Sequence, residues 1–316
     1  MKLPIGHPYT GAVQTPDRAN GHEPKTSPRR RTPLEPIVPS HHRLRLGDAR
    51  DLSWLEDESV HLVVTSPPYG NLKQYALGNP NQLGDIKDYE VFLDDLDKVW
   101  RECARVLVPG GRLCIVVGAV SISRRQGGRH YVLPLPSDIQ VRSRRLGLDN
   151  LTPIMWQKIG NIALEASDSS VFLGKPNLPN GVIKLDHETI VLLRKPGGYR
   201  SPTPAMEAAS HISTEDYTQW FRTIWTGLGG ASTRDHPAPF PLELAYRLIR
   251  MYSFAGDVVL DPFLGTASTT QAAIQAGRNS IGVEIEPTYL KLSQQKLADL
   301  PFGVTLDIEG LPAGAT

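Results

Sequence analysis

The run Val60-His61-Leu62-Val63-Val64, followed at once by Thr65-Ser66-Pro67-Pro68-Tyr69-Gly70, constrains this chain more than any other stretch. Its apolar residues are mostly β-branched and lie between a charged segment and a double proline, which predicts a short buried strand that stops abruptly. Each proline fixes its own φ, removes a backbone donor and pushes the residue before it out of the helical region. The carbonyls of Ser66 and Pro67 are therefore expected to stay extended and free of local helix bonding, with an aromatic ring just beyond them. A loop of that kind can accept hydrogen bonds from an amino group while a ring covers the face of what it holds.

With 316 residues, 40% of them apolar, the chain can bury a full core as one large α/β domain with insertions or as two small ones. A formal charge of +1 neither favours nor excludes nucleic acid, because basic and acidic residues can be segregated locally. Cys103 and Cys114 form no CxxC pair, and no His cluster has ligand spacing, which argues against a disulfide framework or a zinc site and fits a reducing cytoplasm. No uninterrupted apolar run approaches the ~20 residues that span a bilayer, so neither export nor membrane insertion is indicated.

Residues 1–40 are rich in proline, lack apolar periodicity and contain Arg29-Arg30-Arg31, which reads as a flexible arm. Leu44 to Gly47 alternates as a short strand ending at the acidic Asp48, and Ala49 to Leu55 is helix-like. After the proline loop, 71–84 is polar and Gly/Asn-rich, a flap. An amphipathic helix carrying Tyr89, Phe92, Leu96, Val99, Trp100 and Cys103 then stops at Pro109-Gly110-Gly111, and a strand follows from Arg112 to Gly118. Strand, helix, turn and strand make a βαβ unit and imply a parallel sheet, with both cysteines as packing residues.

Between 119 and 147 the chain turns basic: Arg124, Arg125, Arg129, Arg142, Arg144 and Arg145 face one acid, Asp138. The residues fit a phosphate-contacting loop and an ordinary solvated loop equally well. Strands are expected at Leu151–Lys158 and His187–Lys195, separated by a long loop, and a helix from Ser213 to Trp225. Beyond His236 to Pro241, a helix from Leu242 to Ser253 leads to the strand Val258-Val259-Leu260-Asp261. The small-residue turn Pro262-Phe263-Leu264-Gly265-Thr266-Ala267, a helix, and the strand Asn279 to Glu284 follow. The last helix is expected over 287–300, and the tail after Phe302 reads as frayed. Strand, small-residue turn, helix, strand and acid form the nucleotide-binding half of a doubly wound sheet. The turn lacks the G-x-G-x-x-G fingerprint and any P-loop lysine, so a pyrophosphate ligand is disfavoured while a phosphate-free adenosine ligand is allowed.

Taken together, Ser66-Pro67-Pro68-Tyr69 resembles the catalytic tetrapeptide of S-adenosylmethionine-dependent DNA amino-methyltransferases, and Asp261 to Thr270 resembles their cofactor loop. His236 to Pro241 resembles the segment preceding that loop. With the tetrapeptide ahead of the cofactor loop, the order is that of the family's β group. The resemblance implies an α/β, Rossmann-like methyltransferase fold, a mostly parallel sheet flanked by helices in circularly permuted order, with target-recognition insertions. Its expected parts are the arm (1–40), a catalytic half (41–118), a basic insertion (119–150), core strands and a loop (151–196), a target-recognition region (197–235), a cofactor half (236–302) and a tail (303–316).

It further implies double-stranded DNA as substrate, with Arg124, Arg125, Arg129, Arg142, Arg144 and Arg145 as the DNA-binding set, and a cognate restriction endonuclease as a functional partner; monomer and dimer both stay open. Ser66 and Pro67 would receive the hydrogens of an exocyclic amine, with Pro68 holding the loop and Tyr69 stacking on a base turned out of the duplex. A serine at the first position points to N4 of cytosine ahead of N6 of adenine. For S-adenosylmethionine the implied residues are Asp48 at the adenine edge, Glu284 at the ribose, Pro239 and Phe240 beside it, and Asp261, Phe263, Gly265, Thr266, Ser268 and Thr269 around the methionine part. The residues alone allow Asp48 to be a helix cap, Glu284 a strand-end acid and Phe240 core. Ala267 stands where the family usually has glycine, and its methyl is expected to crowd the methionine moiety. A non-catalytic DNA-binding module would leave the proline loop unexplained, and a nicotinamide oxidoreductase lacks its fingerprint.

Overall fold

The computed structural model describes residues 39–69, 81–158, 179, 183, 185–229 and 240–311. The strands are β1 (Ser40–Leu46), β2 (Val60–Thr65), β3 (Leu107–Val117), β4 (Val120–Ile122), β5 (Tyr131–Leu133), β6 (Asp149–Asn150), β7 (Ile154–Gln157), β8 (His187–Arg194), β9 (Ile224–Trp225), β10 (Val258–Asp261), β11 (Asn279–Glu284) and β12 (Val304–Glu309). The helices are α1 (Tyr89–Val106), α2 (Arg124–Gly127), α3 (Leu135–Ser143), α4 (Pro204–Ala209), α5 (Thr214–Trp220), α6 (Leu242–Tyr252), α7 (Ser268–Ala276) and α8 (Pro287–Lys296).

Among the described residues ten strands form one sheet in the order β12-β1-β11-β10-β2-β3-β8-β7-β9, with β6 also on β8, while β4 and β5 pair as a separate hairpin. The neighbours from β12 to β3 run parallel, and β8 turns back antiparallel to β3. This is the mixed, mostly parallel α/β sheet that the resemblance implies, with the proline-loop strand β2 preceding β10 in the chain. Alternation along β2 and β3 sends side chains to both faces. Val60, Val63, Leu113, Ile115 and Val117 pack with Phe92, Leu96, Trp100 and Cys103 of α1 on one side. Leu62, Val64, Cys114 and Val116 pack with Leu244 and Leu248 of α6 and Ala272 of α7 on the other. Both cysteines are buried, as packing residues should be.

Several local expectations are corrected. Residues 49–55 form turns rather than a helix, because Leu52 N–H is taken by the Glu102 carboxylate and the Leu52 and Leu55 carbonyls by Arg105. Pro109-Gly110-Gly111 lies inside β3 and not in a separating turn: the register with β2 shifts there, and Gly110 at φ 78° donates to Lys195 O. The helix expected to reach Trp225 ends at Trp220, whose carbonyl accepts from Trp225 Nε1 while Trp225 joins the sheet beside Trp156. α8 stops at Lys296. The segment after Phe302 is an ordered edge strand, since Val304, Leu306 and Ile308 alternate and β1 offers an open edge. The basic stretch is built rather than looped, as the β4–β5 hairpin around α2, then α3. Residues 1–38 of the arm, 71–80 of the flap, most of the loop before β8, and 230–239 with Pro239 lie outside the described residues.

Ala267 has φ 63°, the left-handed region, directly before α7. Its methyl is fully buried in a core cluster with Leu44, Leu264, Ile274 and Leu290. A glycine would relieve the conformation and forfeit one buried methyl, two effects of about 1 kcal/mol and opposite sign. Ala267→Gly should therefore leave the denaturation midpoint nearly unchanged. Ala267→Val adds β-branching in a left-handed conformation and bulk in a filled core, and should cost more than ~2 kcal/mol in the same chemical denaturation series.

Candidate active site

The two halves of the sheet meet where β10 pairs with β2, Val259 beside Leu62 and Leu260 beside Val63. Both chains then leave the sheet at the same end, one as the proline loop and one as the cofactor loop. In an open parallel sheet that is where ligands bind. Thr65 Oγ1 donates to Asp261 Oδ1 at 2.7 Å and Thr269 Oγ1 to Asp261 Oδ2 at 2.6 Å, while Phe263 N–H donates to Asp261 Oδ1 at 3.1 Å. One buried carboxylate thus ties the end of β2, the start of α7 and the turn from β10 to α7. Burial raises its pKa to about 6, even though the three donors favour the ionised form.

A cleft opens beside this knot. Its walls are Ser66, Pro67 and Pro68 from the β2 end, Pro262, Phe263 and Gly265 from the β10 end, and Gly47, Asp48 and Ala49 from the β1 end. Val283 to Glu286 and Tyr289 come from the β11 end, and Asn81 to Gly84 close the remaining side. Glu284 sits at the strand end with 8% exposure, its Oε2 accepting from Gly265 N at 2.8 Å and its Oε1 from Glu286 N at 2.9 Å. Burial pushes its pKa up to about 7 against those two bonds, with the neighbouring charges of Asp261 and Glu286 adding to the rise. Gly265 at φ 55° carries no side chain into the cleft, and its carbonyl is held by Ser293 Oγ at 2.8 Å.

Of the sequence-expected residues, Ser66, Pro67, Pro68, Asp48, Phe263, Gly265 and Glu284 come together on the cleft wall. Asp261, Thr266 and Thr269 are buried behind it, and Ser268 opens α7. Phe240 is core on the far face of the sheet, with Leu244 and Leu248. Tyr69 is only 9% exposed, packed in the α1-side core, and its hydroxyl accepts from Gly118 N at 3.1 Å. The ring thus packs against the α1 side of the sheet, next to the proline loop. Asp48 accepts from Arg50 N, Nε and Nη2. The same guanidinium reaches Asp95 Oδ2 at 2.5 Å and Asn81 O at 2.9 Å. Arg50 therefore fastens the Asn81 wall to β1 and α1, and sequence reasoning missed it because its partners lie 31 and 45 residues away. Gln82, Ile285, Glu286 and Tyr289 were also missed. Gln82 Nε2 donates to Glu286 Oε2 at 3.3 Å, and its Oε1 is buried with no partner among the described residues.

The basic set divides. Arg124, Arg125 and Arg129 are exposed on the β4–β5 hairpin, which leaves the end of β3 on the catalytic side. Arg144 and Arg145 are exposed at the other end, just before β6, whose Asp149 pairs with Arg194 opposite Arg112 at the start of the β2–β3 ladder. Arg142 spends its donors on Asp94 and on Asp97, the latter at 2.9 Å, and so clamps α3 to α1.

A family model described as DNA methylase matches residues 60–295. The type II methyltransferase M.MjaI of Methanocaldococcus jannaschii is 36% identical over 290 residues, covering 82% of this chain and 92% of that protein. M.MthZI of Methanothermobacter thermautotrophicus is 34% identical over 282 residues, covering 81% and 76%. A Thermus thermophilus protein provisionally assigned as a DNA modification methylase, solved in complex with S-adenosyl-L-methionine, superposes with TM-score 0.70 at 48% identity, covering 85% of this chain and 99% of its own. The cytosine-N4-specific PvuII DNA methyltransferase, at 18% identity and TM-score 0.57, shares the fold over 85% of this chain and 96% of its own. The family match takes in the proline loop, the Asp261 knot and Glu284 together, and the chain belongs to the DNA methylase family.

Proposed function

We propose that this DNA methyltransferase moves a methyl group from S-adenosylmethionine to the exocyclic N4 of a cytosine turned out of duplex DNA. The single observation carrying the reading is that Ser66 and Pro67 line the same cleft as Glu284 and Gly265. The cleft suits an adenosine ligand without phosphate. Glu284 is a buried acceptor for ribose hydroxyls, Phe263 and Tyr289 offer ring faces, Gly265 leaves room, and Gln82 holds an unused acceptor. When bound, the sulfonium supplies an electrophilic methyl group. Ser66 Oγ and the Pro67 carbonyl accept the amine hydrogens and aim the nitrogen lone pair, which is positioning plus local electrostatics. Tyr69 and the Asp261 knot keep that loop from moving. The type II relatives support a restriction–modification setting, with a cognate endonuclease as functional partner.

Incubation with unmethylated duplex DNA and methyl-labelled S-adenosylmethionine, followed by nucleoside analysis, should put label in N4-methylcytosine; label in N6-methyladenine would overturn the choice of base. Ser66→Ala should lower that transfer by roughly a hundredfold or more while leaving cofactor affinity within a factor of a few. Turnover close to wild type would remove Ser66 from the mechanism.

Ribose hydroxyls donate best to an ionised Glu284. Because its pKa is raised to about 7, cofactor affinity measured by calorimetry should climb from about pH 6 to about pH 8 and flatten above, and Glu284→Gln should abolish the slope. The stability of the free protein runs the opposite way. The contribution of this raised acid is fully present below the ordinary carboxylate range and is lost as pH rises through about 7.

The hairpin arginines on the catalytic side are assigned to the DNA backbone. Replacing Arg124, Arg125 and Arg129 by alanine should weaken DNA binding on all sequences alike and lower its salt slope by up to about 3, whereas Arg144→Ala with Arg145→Ala should leave the slope unchanged.

A further inference from the structure

A second cleft, of about 310 Å³, lies at the opposite end of the sheet, between the starts of β2, β3 and β10, the end of α6 and the segment around Tyr199 and Arg200. His61 to Ser66 spans roughly 17 Å of extended chain, so this cleft is separate from the one that holds Ser66. Three arginines border it, Arg112, Arg200 and Arg250, against one acid, Asp257. Asp257 is already committed to Arg200 through both carboxylate oxygens. Arg250 gives Nη2 to His211 O at 2.5 Å. His61 brings no further positive charge: its Nδ1 accepts from Val258 N at 3.1 Å, and burial lowers its pKa despite the attraction of Asp257.

Arg112 is different. Its guanidinium lies 5.0 Å from the Tyr252 ring centroid and 5.9 Å from that of Tyr199. Its Nε is buried with no hydrogen-bond partner, and no carboxylate lies within ion-pair distance of it among the described residues. The residue is half-buried, so its guanidinium stands at the cleft without a counter-charge, attracted only by the faces of two aromatic rings. The fork of an arginine matches phosphate geometry, and Tyr199, 72% exposed, presents the free face of a ring at the cleft mouth.

We infer that this cleft binds a phosphate group, free or carried on a nucleotide, with Arg112 as its principal partner. The site is independent of the methyl-transfer cleft. Full-length protein should give saturable one-to-one heats on titration with inorganic phosphate or with adenosine monophosphate at fixed ionic strength. Arg112→Met should weaken the heats by about tenfold or more, the loss of one charge-assisted contact. Binding of labelled S-adenosylmethionine and of duplex DNA should stay as in the parent protein. Tyr199→Ala, at an exposed position that folding tolerates, separates the sources. Weaker nucleotide binding with unchanged phosphate binding identifies the nucleotide as the ligand, while equal binding of both identifies the free anion. No heat with either probe, heats that Arg112→Met leaves intact, or a loss of DNA affinity in that variant would each overturn the assignment.

Discussion

The architecture turns on the Asp261 carboxylate. It is almost fully buried, and it receives two hydroxyl hydrogens and one amide hydrogen from Thr65, Thr269 and Phe263. Those donors belong to three separate pieces of the molecule, the end of the proline-loop strand, the first turn of α7 and the cofactor turn. A buried carboxylate without such partners would be expelled or neutralised. Its presence therefore fixes the distance between the proline loop and the turn that follows β10. The low-dielectric setting that raises its pKa also strengthens each bond it accepts.

A second layer of fixation is ionic. Arg50 joins Asp48, Asp95 and the Asn81 carbonyl, and Arg142 joins α3 to the acidic face of α1. These arginines are partly buried and multiply bonded, so they behave as struts, unlike isolated surface pairs. The arginines left on the surface then separate by position. Those of the hairpin stand at the catalytic end, while Arg112 is held between two rings at the other.

Much of this was legible in the sequence. The β-branched run before Pro67-Pro68, the acid closing β11 and the βαβ spacing around α1 each follow from local pattern, and Ser66, Gly265 and Glu284, singled out by the family resemblance, line one cleft. What escaped reading depends on distant partners. Residues 49–55 look helical alone, and are unwound because Glu102 and Arg105 claim their backbone groups. Trp225 fits the apolar stripe of a helix, yet its indole caps Trp220 and its backbone extends the sheet. Local composition cannot report contacts made across more than a few residues.

The position of β1 carries a further consequence, for the order in which the protein is made. This strand begins at Ser40, yet both its neighbours come from the far end of the chain, with His42 opposite Ser280 and Ser40 opposite Val304. The β2–α1–β3 unit has its partners close at hand and can form early during synthesis. The Asp48 wall of the cleft, by contrast, waits on strands emerging some two hundred residues later. Long-range parallel pairing of this kind is slow. The ribosome thus delivers the proline loop long before the strands that flank β1 exist, and the Asp48 side of the cleft takes shape only once they have joined the sheet.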